Sequence, residues 1–432
     1  MSTLWDQGEE TPMLESGNKK KRLERLLDLA QVYRGWTRKE LAGVLGRDPT
    51  KLVPGSGNPK LDLVVQLAEA LDWNIGDVTE CLISDFAIEN KISSESIQDD
   101  SSDFDELNRQ AREAHARGDY RDLVTLARRA YASAKTPEQR ALACNRELGG
   151  WDGLGRYARS LEAAQAGLRE SPINGDLRRA LQSNLANAYY TLWHLVESRA
   201  TSLELLERYE QEPPTCEWDR CTLAFSNYVL GNTHRRLIDA EPENATRHAE
   251  AASRLLRVAQ EQCTELARDV HESYEGIART CRGGIMEAEV VLGIRDARSV
   301  IAEINDGLND VIDLQTIENG DLLESYGWWC IFGCNISIRH ITDERDLHRT
   351  MALFTNKADE IANRLDNWSM RERVFTLQHA GHQRFVGWTG QPIPMTIDSE
   401  DIRMITGTMG RFPQFRRTGW NILQHANVVQ NS

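Results

Sequence analysis

The chain has 432 residues, of which 40% are hydrophobic and 27% charged, and its formal net charge is −15. This length predicts two or three domains, and the charge excludes a protein that coats nucleic acid over its whole surface. Because apolar runs are too short to cross a bilayer and no secretory signal opens the chain, we expect a cytoplasmic protein without membrane partners.

Charge is distributed unevenly along the chain. Residues 1–18 carry about −4, residues 19–78 about +3 and residues 79–107 about −8. We interpret 1–18 as a disordered acidic tail because it has little to bury. The net positive segment opens with a Lys and Arg cluster at 19–22, which is suited to phosphate contacts, with a solvated helix start as the alternative.

Residues 19–84 contain the start and stop signals of five short helices. Thr37 and Glu40 form a capping box that starts a helix, and Gly46 is placed to end it. A tight turn and a further short helix follow, which is the layout that places a helix in a DNA groove. The predicted helices are Lys21–Tyr33, Thr37–Leu45, Asp48–Val53, Leu61–Leu71 and, capped by Asn74, the stretch to Leu82.

Two residue runs at a fixed distance carry a family resemblance in this region. The first run comprises Leu26, Gly35, Thr37, Glu40, Leu41, Ala42, Leu45 and Gly46. The second comprises Asn58, Pro59, Leu61, Val64, Leu67, Ala68, Ala70 and Leu71. Together they resemble the Cro/repressor-type (XRE) helix-turn-helix domain. The stretch after Gly46 is about three residues shorter than in that family, which shortens the recognition helix and its following loop.

The resemblance implies a set of DNA-contacting residues at matching positions. Pro49 supplies apolar contact, Thr50 and Lys51 can hydrogen-bond, and Arg47 can reach a phosphate or a guanine edge. With the basic cluster, the predicted DNA-binding residues are Lys19, Lys20, Lys21, Arg38, Arg47, Pro49, Thr50 and Lys51. The alternative is a helix-turn-helix fold kept for packing or for contact with a partner.

Residues 85–106 have the composition of a linker between domains. They are rich in Ser and Asp and have little apolar surface to bury. Their negative charge would be repelled by DNA, so the linker either keeps the second domain clear of a duplex or only solubilises the chain.

From 107 to 387 the chain changes to long helical periodicity with internal repeats. Gly118–Tyr120 and Gly155–Tyr157 are turns 37 residues apart, each followed by an Ala-rich helix, and a third turn falls near Trp193. Small residues occupy the expected helix crossings. These units resemble the tetratricopeptide repeat, so the predicted fold class is all-α, a helix-turn-helix domain followed by a tetratricopeptide-like solenoid. Simple helical-bundle periodicity is the alternative.

Residues 388–432 break the repeat pattern. Trp388–Pro394 is typical of an extended turn and Gly407–Pro413 of a loop, and Gly419–Val428 is predicted to be a final helix. Since a solenoid needs an atypical end unit, we interpret this segment as a C-terminal cap on the repeats.

Candidate catalytic and metal-binding residues are few. Cys330 and Cys334, with His379 and His382, offer four zinc ligands, but the Cys pair lies in an apolar run typical of a buried helix. Cys216 and Cys221 lack a second ligand pair. No P-loop or G-x-S-x-G motif occurs. We therefore expect no metal, no cofactor and no enzymatic activity.

The inner face of the predicted repeats is a better candidate site. Side-chain amides on that face can hydrogen-bond an extended peptide backbone, and arginines can hold a carboxylate. The predicted peptide- or partner-binding residues are Asn108, Arg112, Asn145, Arg146, Asn184, Asn187, Tyr190, Asn232 and Arg235. The alternative is that these are polar residues on a solvated helix face.

The combination of both domains resembles the peptide-responsive transcription regulators of the RRNPP type. That resemblance implies a homodimer that binds a palindromic double-stranded DNA operator, with a peptide or protein ligand in the repeat groove. The alternative function is a scaffold or adaptor whose first domain no longer reads DNA.

Overall fold

The computed structural model describes residues 11–53, 59–82, 103–311, 313–314, 317–391 and 393–429. Over this described part the chain is almost wholly helical, with nineteen α-helices and one pair of two-residue parallel strands. The predicted all-α class is therefore confirmed. None of the helices in these ranges is both long enough and apolar enough to span a membrane.

Two compact units divide the chain. The first combines 1–95 with 393–432, and the second comprises 96–392. The elements of the first unit are α1 (Thr11–Arg34), α2 (Arg38–Val44), α3 (Leu61–Leu71), α4 (Ile75–Leu82), β1 (Thr396–Ile397), α18 (Ser399–Arg411), a 3₁₀ turn (Pro413–Phe415), α19 (Arg416–His425) and β2 (Asn427–Val428).

Local signals fix the first two helices of this unit. The Thr37 side chain accepts a bond from the Glu40 amide and the Glu40 carboxylate accepts one from the Thr37 amide, which confirms the predicted capping box. Gly46 ends α2 with a φ of 58°. Arg34, at the end of α1, donates to the last carbonyls of α3, where a cation is favoured.

The third helix that we predicted over Asp48–Val53 is absent, and the prediction was wrong. The Asp48 carboxylate accepts a hydrogen bond from the Thr50 amide at 2.8 Å, and the Lys51 amide donates to the Asp48 carbonyl at 2.9 Å. This is a single closed turn. The stretch is too short for a helical ladder, because Pro54 disfavours helical backbone in the residue before it. The predicted turn at 54–58 lies outside the described residues.

The predicted C-terminal cap on the repeats is also wrong, because α18 belongs to the first unit and packs against α1. The Trp73 indole donates to the Thr406 carbonyl at 3.2 Å, in the interior. Arg416 pairs with Asp77 at 2.6 Å. Gly410, read from sequence as a loop residue, is helical and lies where a Cβ would come within 2.1 Å of Trp73.

The second unit is a succession of helix pairs followed by one last helix. Its helices are α5 (Phe104–Ala116), α6 (Tyr120–Ser133), α7 (Pro137–Gly153), α8 (Tyr157–Arg169), α9 (Gly175–Thr191), α10 (Leu195–Gln211), α11 (Glu217–Ala240), α12 (Ala245–Asp269), α13 (Tyr274–Val291), α14 (Ala297–Gly307), α15 (Asp321–His340), α16 (Glu344–Leu365) and α17 (Trp368–Thr389). Gly118, Gly155 and Trp193 lie in the turns within the first three helix pairs and have φ of 66–72°, which confirms those predicted turns.

Two predicted flexible segments are described only in part. Residues 1–10 of the predicted tail lie outside the described residues, while 11–18 form the start of α1, which corrects that prediction. Residues 85–102 of the predicted linker also lie outside them. At 103–106 the chain already enters α5, whose first turn buries Phe104.

A substitution at Gly410 tests the packing of α18 in the first unit. In Gly410→Ala the added methyl collides with the Trp73 ring, and overpacking of this kind costs about 1–3 kcal/mol. We expect faster amide hydrogen exchange in α1, α3 and α18, measured by mass spectrometry. Gly43→Ala is the matched control, because Gly43 is an exposed helical glycine with open space around it. Equal exchange in both variants would contradict this packing.

Candidate functional site

The turn after α2 holds three of the eight residues predicted to bind DNA, and a fourth, Arg38, lies beside it. Pro49, Thr50 and Lys51 are exposed there, and the Arg38 guanidinium lies 3.5 Å from the Pro49 carbonyl. The Thr50 hydroxyl donates to the Asp48 carboxylate at 2.5 Å. The turn therefore presents one free ammonium group, at Lys51, and a hydroxyl already engaged within the protein.

Arg47 and the lysine cluster are placed differently from that turn. The Arg47 guanidinium donates to both Asp62 oxygens at 3.1 Å and is mostly covered, so its charge is neutralised within the first unit. Lys20 and Lys21 are exposed on α1. Lys19 is in the same helix, but its side chain lies outside the described residues.

The second unit contains a cavity of about 290 Å³ between the first helices of successive pairs. Four of the nine residues predicted to bind a peptide line it: Asn145, Arg146, Asn184 and Asn187. We call this space the groove. Its full lining is His115, Tyr120, Asn145, Arg146, Leu148, Gly149, Asp152, Gly153, Asn184, Asn187 and Phe225.

Polar contacts prearrange one wall of the groove. The Asn184 amide donates to the Asn145 carbonyl oxygen at 3.0 Å, and Arg146 Nε donates to the Asn108 side chain at 3.1 Å. Burial lowers the pKa of Arg146, and the nearby Arg112 charge lowers it further. Within the described residues no carboxylate pairs with Arg146, so this wall carries an uncompensated positive charge.

The groove is also lined by an acidic residue, Asp152. Asp152 is half-buried, and within the described residues no cation pairs with it. Burial raises the pKa of the Asp152 carboxyl to about 6, and the Glu324 carboxylate adds to this effect. Burial likewise raises the pKa of Glu324, whose Oε1 accepts bonds from Trp328 and Asn367 at 2.8 and 2.9 Å. Asp152 near the end of α7 and Glu324 at the start of α15 are therefore like charges, and Glu324 disfavours the ionised form of Asp152.

Two groove residues that the sequence analysis did not predict lie two helical turns after residues that it did predict. Asp152 follows Asn145 by seven positions, and His115 follows Asn108 by seven, which is two helical turns on one face. Extending each predicted site residue by two turns would have found both. Nothing local in sequence marks Phe225, because it reaches the groove only through the packing of the helix pairs.

Five of the nine predicted groove residues do not line the groove. Two of these, Asn108 and Arg112, lie beside Arg146. The other three are interior residues.

Tyr190, Asn232 and Arg235 are buried, and α13 packs over the face of α11 that carries two of them. Arg235 lies over the Phe332 ring and donates to the Glu287 carboxylate at 2.8 Å. The prediction for these residues is corrected, since they build the interior.

Glu287 is the centre of this interior charge network. Its side chain is 0% exposed and accepts bonds from Arg235 at 2.8 Å and from Arg339 at 2.7 Å. Arg339 also donates to both oxygens of Asp239, whose side chain is 62% exposed. The network joins α11, α13 and α15 through one buried carboxylate.

The cysteines considered as zinc ligands are interior residues. Cys330 and Cys334 are fully buried in α15, and burial raises the pKa of the Cys330 thiol to about 12, which disfavours a thiolate. Among the described residues, no three His, Cys, Asp or Glu side chains are grouped so that they could hold a metal ion.

The buried charge network predicts that neutralising each of its two carboxylates will lower the free energy of unfolding by different amounts. Glu287→Gln leaves the buried Arg235 guanidinium without a countercharge, which we expect to destabilise the second unit by about 3–5 kcal/mol. Asp239→Asn removes an exposed partner of the same Arg339 and should cost less than about 1 kcal/mol. Urea unfolding followed by circular dichroism measures both. Equal shifts in the unfolding midpoint would contradict the network.

Neutralising Asp152 by substitution should increase the stability of the folded chain. Because its pKa is raised from 3.8 to about 6 in the folded chain, its ionised form costs folding free energy above pH 6. Allowing for partial solvation, we expect Asp152→Asn to stabilise the chain by about 1–2 kcal/mol at pH 7.5. The gain should shrink as the pH falls from 6 to 3, because below the unfolded pKa of 3.8 wild-type Asp152 is mostly protonated in both states.

Thermal unfolding at several pH values measures this difference. Glu138→Gln, an exposed carboxylate on the same helix, is the matched control and should show no such pH-dependent gain. If Asp152→Asn destabilised the chain at pH 7.5, this would contradict the interpretation that the Asp152 carboxylate is unpaired in the folded chain.

No protein-family model matches the chain, and no curated protein sequence matches it. Among solved structures, it is similar to the crystal structure of Bacillus thuringiensis PlcR in complex with the peptide PapR7 and DNA. The identity is 12% and the TM-score 0.33, and the match covers 82% of this chain and 99% of that chain.

Proposed function

We propose that this protein is a DNA-binding transcription regulator whose tetratricopeptide-like repeats sense a peptide or protein ligand and mediate homodimerisation. The groove is the observation that carries the proposal. It places side-chain amides and unpaired charges of both signs around a cavity of about 290 Å³, where a ligand can satisfy them.

The amide wall suits an extended peptide. Asn145, Asn184 and Asn187 lie on two neighbouring helices and offer donors and acceptors that match a peptide backbone whatever its side chains. Arg146, which lacks a carboxylate partner within the described residues, can bind an anionic group of the ligand. An oligopeptide is therefore the ligand class that these groups fit best.

The first unit supplies the part that contacts DNA in this proposal. Lys51 and Thr50 project from the turn after α2, and Lys20, Lys21 and Lys60 are exposed in the same unit. Such cations contact phosphates, and a homodimer would double the contacts made by one XRE-like unit on a palindromic operator.

A specific observation favours the alternative function, a protein-interaction adaptor. No helix forms in the turn at 48–53, and Arg47 is neutralised by Asp62. Both features are expected of a first unit that no longer reads DNA. The proposal assigns no catalysis and no cofactor, and a stoichiometric metal found by elemental analysis of the purified protein would contradict it.

DNA binding is tested with labelled DNA from immediately upstream of the coding sequence, titrated at two salt concentrations. We expect affinity to fall steeply between about 50 and 200 mM salt, because bound cations release counterions from the phosphates. Combined Thr50→Ala and Lys51→Ala should weaken binding and reduce the salt slope by about 1.

Lys135→Ala serves as the matched control, because Lys135 is an exposed lysine of the second unit. It should leave the titration unchanged. If the wild-type chain does not bind the DNA even at the lower salt concentration, the adaptor function replaces the regulator.

A further inference from the structure

Arg146 is a cation of the groove that the protein holds in position without neutralising it. Its Nε atom donates to the side-chain oxygen of Asn108 at 3.1 Å, and in the described part of the chain its two terminal nitrogens have no hydrogen-bond partner. Because Asn108 is neutral, this contact fixes the direction of the guanidinium and leaves its charge unbalanced. A cation held in this way favours an anionic group brought by a ligand.

Three carboxylates close to Arg146 in sequence or on the neighbouring helix α5 are engaged elsewhere. Glu147, the next residue, forms an ion pair of 2.8 Å with an arginine of α6. Two carboxylates of α5 both pair with Arg109: Glu106 and Glu113. These three groups therefore do not neutralise Arg146, although they lie on the same two helices.

Asp152 gives the groove a polarity. It follows Arg146 by six residues on α7, which places the two Cα atoms about 9 Å apart along the helix axis. Both side chains line the cavity, yet no ion pair joins these two described residues. An anionic group is therefore favoured near Arg146 and disfavoured near Asp152, whose carboxylate would repel it.

Side-chain amides lie beside Arg146 in the groove. The Asn184 nitrogen donates to the Asn145 oxygen at 3.0 Å, so the Asn145 nitrogen and the Asn184 oxygen remain for a ligand. Asn187 lines the same cavity one turn further along α9. Because Asn145 directly precedes Arg146 on α7, a ligand with a carboxylate at Arg146 has its adjoining peptide groups next to these amides.

From these contacts we infer that the groove anchors an oligopeptide by a carboxylate, which the Arg146 guanidinium binds while the neighbouring amides bind the adjoining peptide groups. This inference rests on the proposed peptide-sensing function. It goes further by naming the group that anchors the ligand and the direction in which that group points. It also assigns Asn108 as the residue that positions the guanidinium.

A peptide carries carboxylates in two places, at the C-terminus and on the side chains of Asp and Glu. Four pools of N-acetylated random heptapeptides without Lys, Arg or His distinguish them, with the C-terminus free or amidated and with Asp and Glu included or omitted. The full-length protein is mixed with each pool at pH 7.5, and the retained peptide is quantified by ultrafiltration and mass spectrometry. Since the chain carries a net charge of −15, non-specific electrostatics work against the anionic pools.

We expect the wild-type chain to retain the carboxylate-containing pools about tenfold more than the amidated pool without Asp and Glu, since a charge-assisted hydrogen bond contributes about that factor. Arg146→Gln removes the cation and should abolish the preference. Arg349→Gln, at an exposed arginine of α16 outside the groove, is the matched control and should keep it. Preference for a free C-terminus assigns the site to the terminal carboxylate, and preference for Asp and Glu assigns it to a side chain.

Asn108→Asp neutralises Arg146 without removing it. The introduced carboxylate still accepts from Arg146 Nε and now balances its charge, so the preference should be lost while the folded chain becomes no less stable. Thermal unfolding measures the stability of this variant. Loss of the preference in a variant as stable as the wild type reports on binding and not on folding.

Three results overturn the inference in distinguishable ways. Equal retention of all four pools by the wild type removes the carboxylate site but leaves peptide sensing in place. A preference that persists in both Arg146→Gln and Asn108→Asp shows that the carboxylate binds elsewhere. Retention of none of the pools removes peptide sensing, and the carboxylate site falls with it.

Discussion

One buried carboxylate, Glu287, constrains how three helices of the second unit, α11, α13 and α15, are arranged. It accepts bonds from arginines on α11 and α15, while it belongs to α13. In a dry interior, a charge of this kind tolerates few alternative geometries, because any shift leaves a guanidinium unpaired. The network therefore fixes α15 relative to α13 and α11. The electrostatic environment of Asp152 depends on it, since Glu324, which adds to the raised pKa of Asp152, lies in the first turn of α15.

The helix pairs were predictable because their signals are local. Capping boxes and the left-handed glycines Gly118 and Gly155 mark where helices begin and end, independently of what packs on them. Trp193 takes the same left-handed backbone without being glycine, and Arg236 lies 4.3 Å from its ring. Only the repeat period indicated that turn, because no local residue preference does.

The failed helix at Asp48–Val53 has a local cause, whereas the errors at Gly410 and on α11 concern contacts distant in sequence. Gly410 was read as a loop residue because glycine breaks isolated helices, whereas here it admits the Trp73 ring from 337 residues away. The register of the repeats alone places Asn232 and Arg235 on the open inner face. The packing of α13 on that face decides their burial, and no periodicity within α11 contains this information.

Charges in the groove also bear on how a ligand could change the conformation of the protein. A ligand shifts an equilibrium only by its difference in affinity for two states. The Glu324 carboxylate of α15 adds to the raised pKa of Asp152 on α7, so each charge disfavours the other. A ligand that brings a countercharge to Asp152 removes part of the cost of its ionised form, so ligand binding and ionisation of Asp152 favour each other.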